Sequence, residues 1–439
     1  MRHFDTRMGR RRLLQTAAIG AAGVAAPYVL TSAALGAASR APASERITVG
    51  TIGCGGRGSY DRGAFLWHAD VQVVAVCDVK GPQRRAGQKA VEAKYGPGTC
   101  AAYIDLRELL AREDLDAVLI ATGENWHAPA SILAARAGKD IYCEKPMCMT
   151  IAEGRAVVEA VRRHDVVYQC GTQRRNLGRF RFAVDLARRG VLGELKELYA
   201  EKTPWPEELD RSTLSPQPAP PREELDWDLW LGPAPWRPYN PGYLRWENRQ
   251  DLGLGVIPGW GSHTADLCQW ANDADDSAPV EYWHEDGTIV GRYANGVKLI
   301  FEKGAWPLHV RFVGTEGWVY ADDDGGVRAE PESLLAFRKF GKGYPADDHV
   351  REFIDCVKSR RRPTSHVEAS HRSMTANHCA IVCKELRRPV RWDPAAEEFP
   401  GDDEANRLRA RAHRVWGQGP GSTESGPTAT GALPPERRG

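Results

Sequence analysis

A chain of 439 residues is long for one hydrophobic core and suits two domains with appendages. Its formal net charge of +1 and 42% hydrophobic content describe a soluble globular protein, with no electrostatic bias toward nucleic acid or an anionic membrane surface. Ten cysteines are scattered without paired CxxC spacing, which argues against a zinc site or a disulfide framework and leaves buried thiols.

In chain order, the first feature is a leader over residues 1–39. Gly9-Arg10-Arg11-Arg12-Leu13-Leu14-Gln15 precedes an Ala-rich, weakly hydrophobic stretch from Thr16 to Gly36 and small residues through Ala38. This resembles a twin-arginine export signal, which predicts passage through the twin-arginine translocase and a periplasmic or extracytoplasmic protein. A transmembrane anchor is the rival reading. Alanine, glycine and Pro27 make its insertion weak, so no stable membrane span is expected after signal removal.

Residues 46–170 are expected to form a nucleotide-binding domain. The apolar run from Ile47 breaks into Gly53, Gly55 and Gly58, the spacing of a dinucleotide-binding turn that also includes Gly56 and Arg57. Val71 to Cys77 is a second β-rich run ending in Asp78, 20 positions after Gly58, where a carboxylate can accept from ribose hydroxyls. The expected cofactor is NAD, because a 2′-phosphate would be repelled by Asp78. Lys80, Arg84 and Arg85 follow closely and could bind that phosphate, which keeps NADP open. Helices are expected over 58–67, 82–95, 106–112, 128–137 and 151–164, alternating with strands at 117–121, 141–143 and 167–170. Such alternation specifies a parallel, doubly wound sheet.

Cys143-Glu144-Lys145-Pro146 closes this domain at the carboxyl edge of the sheet, where open α/β sheets bind ligands. Lys145 can there reach a substrate hydroxyl, and Pro146 is a candidate for a cis or rigid turn.

Residues 171–400 form the second domain. A helix over 176–189 and a strand over 196–203 lead into a Pro- and Trp-rich stretch from Pro204 to Trp246, in which Trp227, Trp230, Trp236 and Tyr239 could stack on sugar rings or serve as core aromatics. Short strands at 280–284, 288–294, 297–302, 308–314 and 318–321, joined by tight turns, argue for an antiparallel sheet. Helices over 348–359 and 368–385 follow, then a C-terminal helix over 401–416 and a disordered tail over 417–439. His366, His371, His378, Cys379 and Cys383 lie on or just before the second of these helices, where core packing and solvated faces of an amphipathic helix outweigh a metal site.

Five segments in this order resemble the Gfo/Idh/MocA oxidoreductase family: Gly53 to Gly58, Ala121 to His127, Ala137 to Pro146, Gly171 to Arg175, and Trp260 to Asp266. The resemblance implies an α/β fold, with an N-terminal Rossmann domain and a C-terminal α/β domain carrying an open, largely antiparallel sheet. It also implies NAD(P)-linked oxidation or reduction of sugars, cyclitols and related polyols. Thr122, His127, Glu144 and Lys145 would then join Gly53, Gly55, Gly56, Arg57, Gly58 and Asp78 along the nucleotide, although His127 also reads as a strand-end histidine bonded to backbone. Lys145 would be catalytic and His263 the acid/base, with Gln173, Arg174 and Trp260 at the substrate. Imidazole suits that task because its ordinary pKa of about 6.5 lets it take and return a proton near neutrality.

His263 and Asp266 sit three apart, so Asp266 could orient the imidazole, bind a sugar hydroxyl or compensate helix charge. H-x-x-D could also supply two metal ligands, but the sequence offers no third, and no metal is expected. Many relatives carry an aspartate four residues before the histidine, where this chain has Gly259. The functional reading is an exported NAD-dependent oxidoreductase acting on a small-molecule carbohydrate. Its alternatives are an NAD-recycling glycosidase or lyase and a non-catalytic carbohydrate-binding protein. The open sheet needs cover, and relatives commonly pair through it, so a homodimer or homotetramer is expected.

Overall fold

The computed structural model describes residues 41–201, 208–304, 307–340 and 348–416. The leader over 1–39 and the tail over 417–439 therefore lie outside the described residues. The described residues 41–46 belong to a unit of their own and carry one 3-10 turn, Ala43–Glu45.

From Ile47 onward, β1 (Ile47–Ile52), α1 (Gly56–Trp67), β2 (Val71–Cys77), α2 (Gly81–Tyr95), β3 (Ala101–Tyr103), α3 (Leu106–Leu110), β4 (Ala117–Ile120), α4 (Glu124–Arg136), β5 (Asp140–Cys143), α5 (Ile151–His164) and β6 (Tyr168–Cys170) follow in turn. The strands make one parallel sheet in the order β3-β2-β1-β4-β5-β6. Its central strands are apolar on both faces, as parallel strands covered by helices must be. The order reverses between β1 and β4, and a ligand crevice opens outside the carboxyl ends of strands at such a point.

The second sheet is built from β7 (Leu195–Ala200), β8 (Glu281–Glu285), β9 (Thr288–Arg292), β10 (Lys298–Phe301), β11 (His309–Gly314), β12 (Gly317–Asp322), β13 (Val327–Glu330) and β14 (Val390–Arg391). Its order is β13-β12-β11-β7-β10-β9-β8-β14, antiparallel throughout except for the β7–β10 pair. One face is covered by α6 (Gly178–Arg188), α8 (Val256–Ala271) and α10 (Val367–Leu386). The other carries half-buried side chains such as Tyr199, Arg311 and Tyr320, with the Arg311 guanidinium 3.9 Å from the Tyr199 ring centroid.

Three expectations need correction. First, residues 171–400 do not all belong to the second domain, because α9 (His349–Ser359) packs Val350, Phe353 and Ile354 into the core of the parallel sheet with Val49, Phe65 and Val73. Residues 409–416 return there as well, with the Trp416 ring 4.6 Å from that of Trp126. Second, the C-terminal helix is only α11 (Asp403–Arg407); beyond it the chain is held by side chains, such as Arg411 on Glu153, instead of by helical hydrogen bonds. Third, α10 is buried on nearly all sides, not amphipathic, because sheet, α5 and α8 enclose it.

Candidate active site

The turn between β1 and α1 explains its glycines. Gly53 has φ of +91°, and a Cβ there would lie 2.3 Å from the Ala121 carbonyl oxygen; one on Gly58 would lie 2.1 Å from the Gly53 oxygen. Both are pressed against backbone. Gly55 and Gly56 differ, since a Cβ on either would meet nothing within 4 Å. The first turn of α1 therefore faces open space with its backbone N–H groups available, which suits a pyrophosphate.

This ledge borders a cleft of about 470 Å³ lined by Gly53, Gly55, Gly56, Arg57, Asp78, Lys80 and Thr122, with Trp126, Leu229 and Trp230 as apolar walls. Asp78 is fixed at its rim, accepting from the Cys54 N–H at 2.7 Å and the Lys80 N–H at 2.8 Å. Burial pushes its carboxyl up, and those two hydrogen bonds oppose the shift. The residues fit NAD: a glycine ledge for phosphates, a positioned carboxylate for ribose, and apolar walls for the rings.

The two arginines that kept NADP open are engaged elsewhere. Arg84 donates to the carbonyls of Asp78 and Glu223, and Arg85 pairs with Glu224. Glu223 and Glu224 belong to the Trp-rich stretch, which bridges onto Lys80 through Leu225 and includes α7 (Trp227–Leu231). Trp227 is buried and stacked 4.8 Å from Trp230, with Tyr239 edge-on to it at 5.1 Å. These rings are a small core and a nucleotide wall, while Trp236 is exposed beside Arg414.

A second cleft, of about 650 Å³, adjoins the first and shares Arg57, Ala121, Thr122, Trp246 and Glu247 with it. Lys145, Trp260 and His263 come together here from β5 and α8. Lys145 follows β5 at the cis Lys145–Pro146 bond, and its Nζ donates to the Gly259 carbonyl at 2.7 Å and lies 5.1 Å from the Trp260 ring centroid. Burial pushes the ammonium pKa down, and Glu144 and Glu124 pull it back up. The His263 ring is 6.3 Å from that of Trp260, and its Nδ1 is buried with no hydrogen-bond partner among the described residues. Burial, with Arg174, Lys145 and Arg57 around it, holds this imidazole well below its ordinary pKa. It is neutral, and so able to accept a proton.

The remaining predicted residues divide. Glu144 is committed to protein partners: Arg57 at 2.9 Å, Gln173 Nε2 at 2.6 Å and the Lys145 N–H at 3.2 Å. Gln173 also reaches Tyr142, and Arg174 is held by Asp323. His127 lines the second cleft, not the nucleotide cleft, with Nδ1 2.7 Å from the Pro146 carbonyl and Nε2 3.2 Å from that of Thr122. It braces the turn that aims Lys145.

Asp266 requires a correction. It does not orient His263; both oxygens accept from Arg175, and Oδ1 also takes the Ser373 hydroxyl at 2.7 Å. One residue step of 100° per position turns Asp266 about 60° from His263 around α8, enough to face Arg175 and α10 instead of the cleft.

Sequence reasoning passed over Glu124 and Asp61, both buried and both lining the second cleft. Glu124 lies inside the segment Ala121 to His127, so its place at the strand end was the available signal; Asp61 had none. The ten cysteines are buried and free, and among the described residues no cluster of metal-binding side chains is found. No described helix is long and apolar enough to cross a membrane.

Comparison with known proteins matches residues 47–172 to the NAD-binding Rossmann fold of the GFO_IDH_MocA oxidoreductase family, and residues 199–416 to that family's C-terminal alpha/beta domain. Among curated relatives, a glycosyl hydrolase family 109 protein of Shewanella pealeana is 28% identical over 232 residues, covering 48% of this chain and 50% of that protein. A family 109 protein of Shewanella sp. strain ANA-3 is 33% identical over 187 residues, 40% of each. The chain thus spans half or less of the length of these relatives. Among solved structures, myo-inositol 2-dehydrogenase from Lactobacillus plantarum superposes with a TM-score of 0.56 at 16% identity, covering 79% of this chain and 99% of that one. The WlbA dehydrogenase from Bordetella pertussis, in complex with NADH and UDP-GlcNAcA, gives 0.59 at 15% identity, covering 80% and 98%. At such identities the likeness is one of fold. With both domain matches together spanning most of the chain, the protein belongs to the Gfo/Idh/MocA family of NAD-binding oxidoreductases.

Proposed function

We propose that this protein oxidises or reduces a CH–OH group of a sugar, cyclitol or sugar derivative. The observation that carries this reading is the meeting of Lys145 and His263 in one cleft that opens onto the NAD cleft. NAD, when bound, supplies the hydride acceptor or donor. Lys145 donates a hydrogen bond to the substrate oxygen, and His263, neutral in its cationic surroundings, takes the hydroxyl proton as the carbonyl forms. Trp260 offers an apolar face beside both.

A second reading is favoured by the relatives named glycosyl hydrolase family 109 proteins: a glycosidase or lyase that oxidises, eliminates and re-reduces with its NAD recycled in place. One experiment separates the two. Purified protein is incubated with NAD and a panel of polyols and glycosides, and products are weighed. Loss of two hydrogens supports the first reading, and a released aglycone the second. Neither product, with no nicotinamide signal, leaves a carbohydrate-binding protein. Lys145→Ala and His263→Ala should each lower turnover by roughly two to four powers of ten while NAD affinity holds.

The reading extends to place and assembly. The Arg10-Arg11 pair supports export by the twin-arginine translocase to the periplasm or beyond, and replacing both with Lys should strand the precursor in the cytoplasm. The half-buried face of the second sheet supports a homodimer or homotetramer, and a monomer by light scattering at micromolar concentration contradicts it.

A further inference from the structure

The nucleotide half buries a cation that nothing around it matches. Arg62, in the second turn of α1, is 3% exposed, and its Nε and Nη1 are sealed from solvent with no hydrogen-bond partner among the described residues. Its Nη2 donates to a neutral group, the Ser59 hydroxyl, at 3.2 Å. Two thiols lie near it and both are uncharged: burial and Asp78 push Cys54 up to about 12, and burial and Glu92 push Cys100 up to about 11, each against the pull of Arg62. A Cβ on Gly87 would lie 2.9 Å from Cys54 Sγ and 3.3 Å from Arg62 Nη1, so thiol and guanidinium share one wall of α2. Asp78 and Glu92 make no ion pair with Arg62 among the described residues; Asp78 accepts from the Cys54 and Lys80 N–H groups, and Glu92 from that of Gly98. The other arginines of α1 and α2 are matched, Arg57 by Asp61 and Glu144, Arg84 by the carbonyls of Asp78 and Glu223, and Arg85 by Glu224.

A buried charge without a counter-ion destabilises the fold that holds it. The direction of this one says what it serves. Helical side chains lean toward the N-terminus of their helix, and Arg62 leans over the first turn of α1, whose backbone N–H groups face the nucleotide cleft. From Ser59 Oγ the path runs to the Cys54 carbonyl at 3.0 Å, inside the turn from Gly53 to Gly55, which puts the guanidinium two hydrogen bonds behind the phosphate ledge. There its charge adds to the positive end of α1.

We propose that Arg62 is a positioning residue for the cofactor, a buried counter-charge to the NAD pyrophosphate that acts through the glycine turn without touching the nucleotide. Cation and helix end repel each other until negative charge sits on the ledge, and in a weakly polarisable interior that attraction reaches across the turn. The inference holds for both reactions considered above, since both bind NAD.

The test takes the full-length protein, melts it with and without NAD, and titrates it by calorimetry with ADP-ribose, which carries the pyrophosphate, and with adenosine, which does not. Arg62→Met should melt at or above wild type without ligand and bind ADP-ribose about tenfold more weakly, with adenosine affinity unchanged within about twofold. Arg62→Gln keeps a donor for Ser59 and loses the charge, so it should show the same loss; Arg62→Lys keeps the charge and should lose less than either. If Arg62→Gln binds ADP-ribose as wild type does, or if both ligands weaken together in the two neutral variants, Arg62 merely braces the turn and the proposal is overturned. Melting several degrees below wild type in both neutral variants overturns it as well, because the cation would then be matched within the fold.

Discussion

Arg175 and Asp266 are joined by two hydrogen bonds, Nε to Oδ2 at 2.7 Å and Nη2 to Oδ1 at 2.8 Å, with both side chains sealed from solvent. Arg175 sits in the turn after β6 and Asp266 on α8, so the pair ties the nucleotide-binding half to the helix that presents His263. Burial pushes the Asp266 carboxyl up, while a bidentate, permanently charged guanidinium pulls it down.

Asp266→Asn should therefore act on stability. Removing one partner of a buried pair leaves an uncompensated charge and costs about 3–5 kcal/mol. Asp275 also contacts Arg175, at 2.7 Å, which should hold the loss toward the lower figure. Thermal melting should fall by several degrees while the kinetic pH profile stays put. A shifted profile with unchanged melting would restore Asp266 to a catalytic role.

Asp78→Ala should weaken NAD binding by roughly 1.5–3 kcal/mol, one to two powers of ten, by removing charge-assisted hydrogen bonds to ribose. NADP should lose less. The Arg85–Glu224 pair is solvent-exposed and so holds its arginine weakly. Glu224→Ala should release Arg85 and raise NADP affinity with NAD affinity unchanged. Titration of both cofactors by nicotinamide fluorescence checks each variant, and equal losses for both in Asp78→Ala would remove the selectivity role.

The nucleotide half was legible in sequence because each of its signals is local. Gly53 and Gly58 answer to backbone atoms a few residues away or on the next strand, and Asp78 closes the strand it ends. Lys145 was equally legible, at a strand end facing the crevice. What was hidden depends on which distant group arrives. Glu144 reads like a cofactor ligand until Arg57 and Gln173 occupy it, and Asp266 like a relay until Arg175 does. The return of α9 to the parallel sheet was hidden too, since its apolar stripe specifies a buried face without naming the surface that buries it.

His378 makes stability depend on pH. It is buried beside Cys148, with its Nε2 3.8 Å from the sulfur, and burial lowers its pKa to about 4. The unfolded chain takes this proton near pH 6.5 and the folded one refuses it until about pH 4. The unfolded state therefore binds more protons in that window, and stability falls as pH drops through it, by up to ~3 kcal/mol from this group. Asp61 and Glu124, raised by burial, work in the opposite direction, so the comparison must be with a variant. In His378→Leu the slope of unfolding free energy between pH 6.5 and 4 should decrease by up to about 1.4 kcal/mol per pH unit relative to wild type. Urea melts across that range measure it, and parallel curves would mean that His378 protonates in the folded protein.

Gly259 offers the most direct control of the lysine. Its carbonyl holds Lys145 Nζ, and a Cβ added to it would meet nothing within 4 Å. It also lies inside α8, where glycine costs about 0.5–1 kcal/mol relative to alanine and aspartate costs somewhat less than glycine. Gly259→Asp should therefore be tolerated, with melting unchanged or slightly raised. The new carboxylate would stand near an ammonium whose pKa is lowered by burial, and an added negative charge favours the charged form. Lys145 should then stay protonated to higher pH, moving the alkaline limb of kcat/KM upward and leaving NAD affinity alone. If melting drops by several degrees, the cleft wall is less open at this position than its geometry states; if melting holds and the alkaline limb does not move, Lys145 is not the group that sets it.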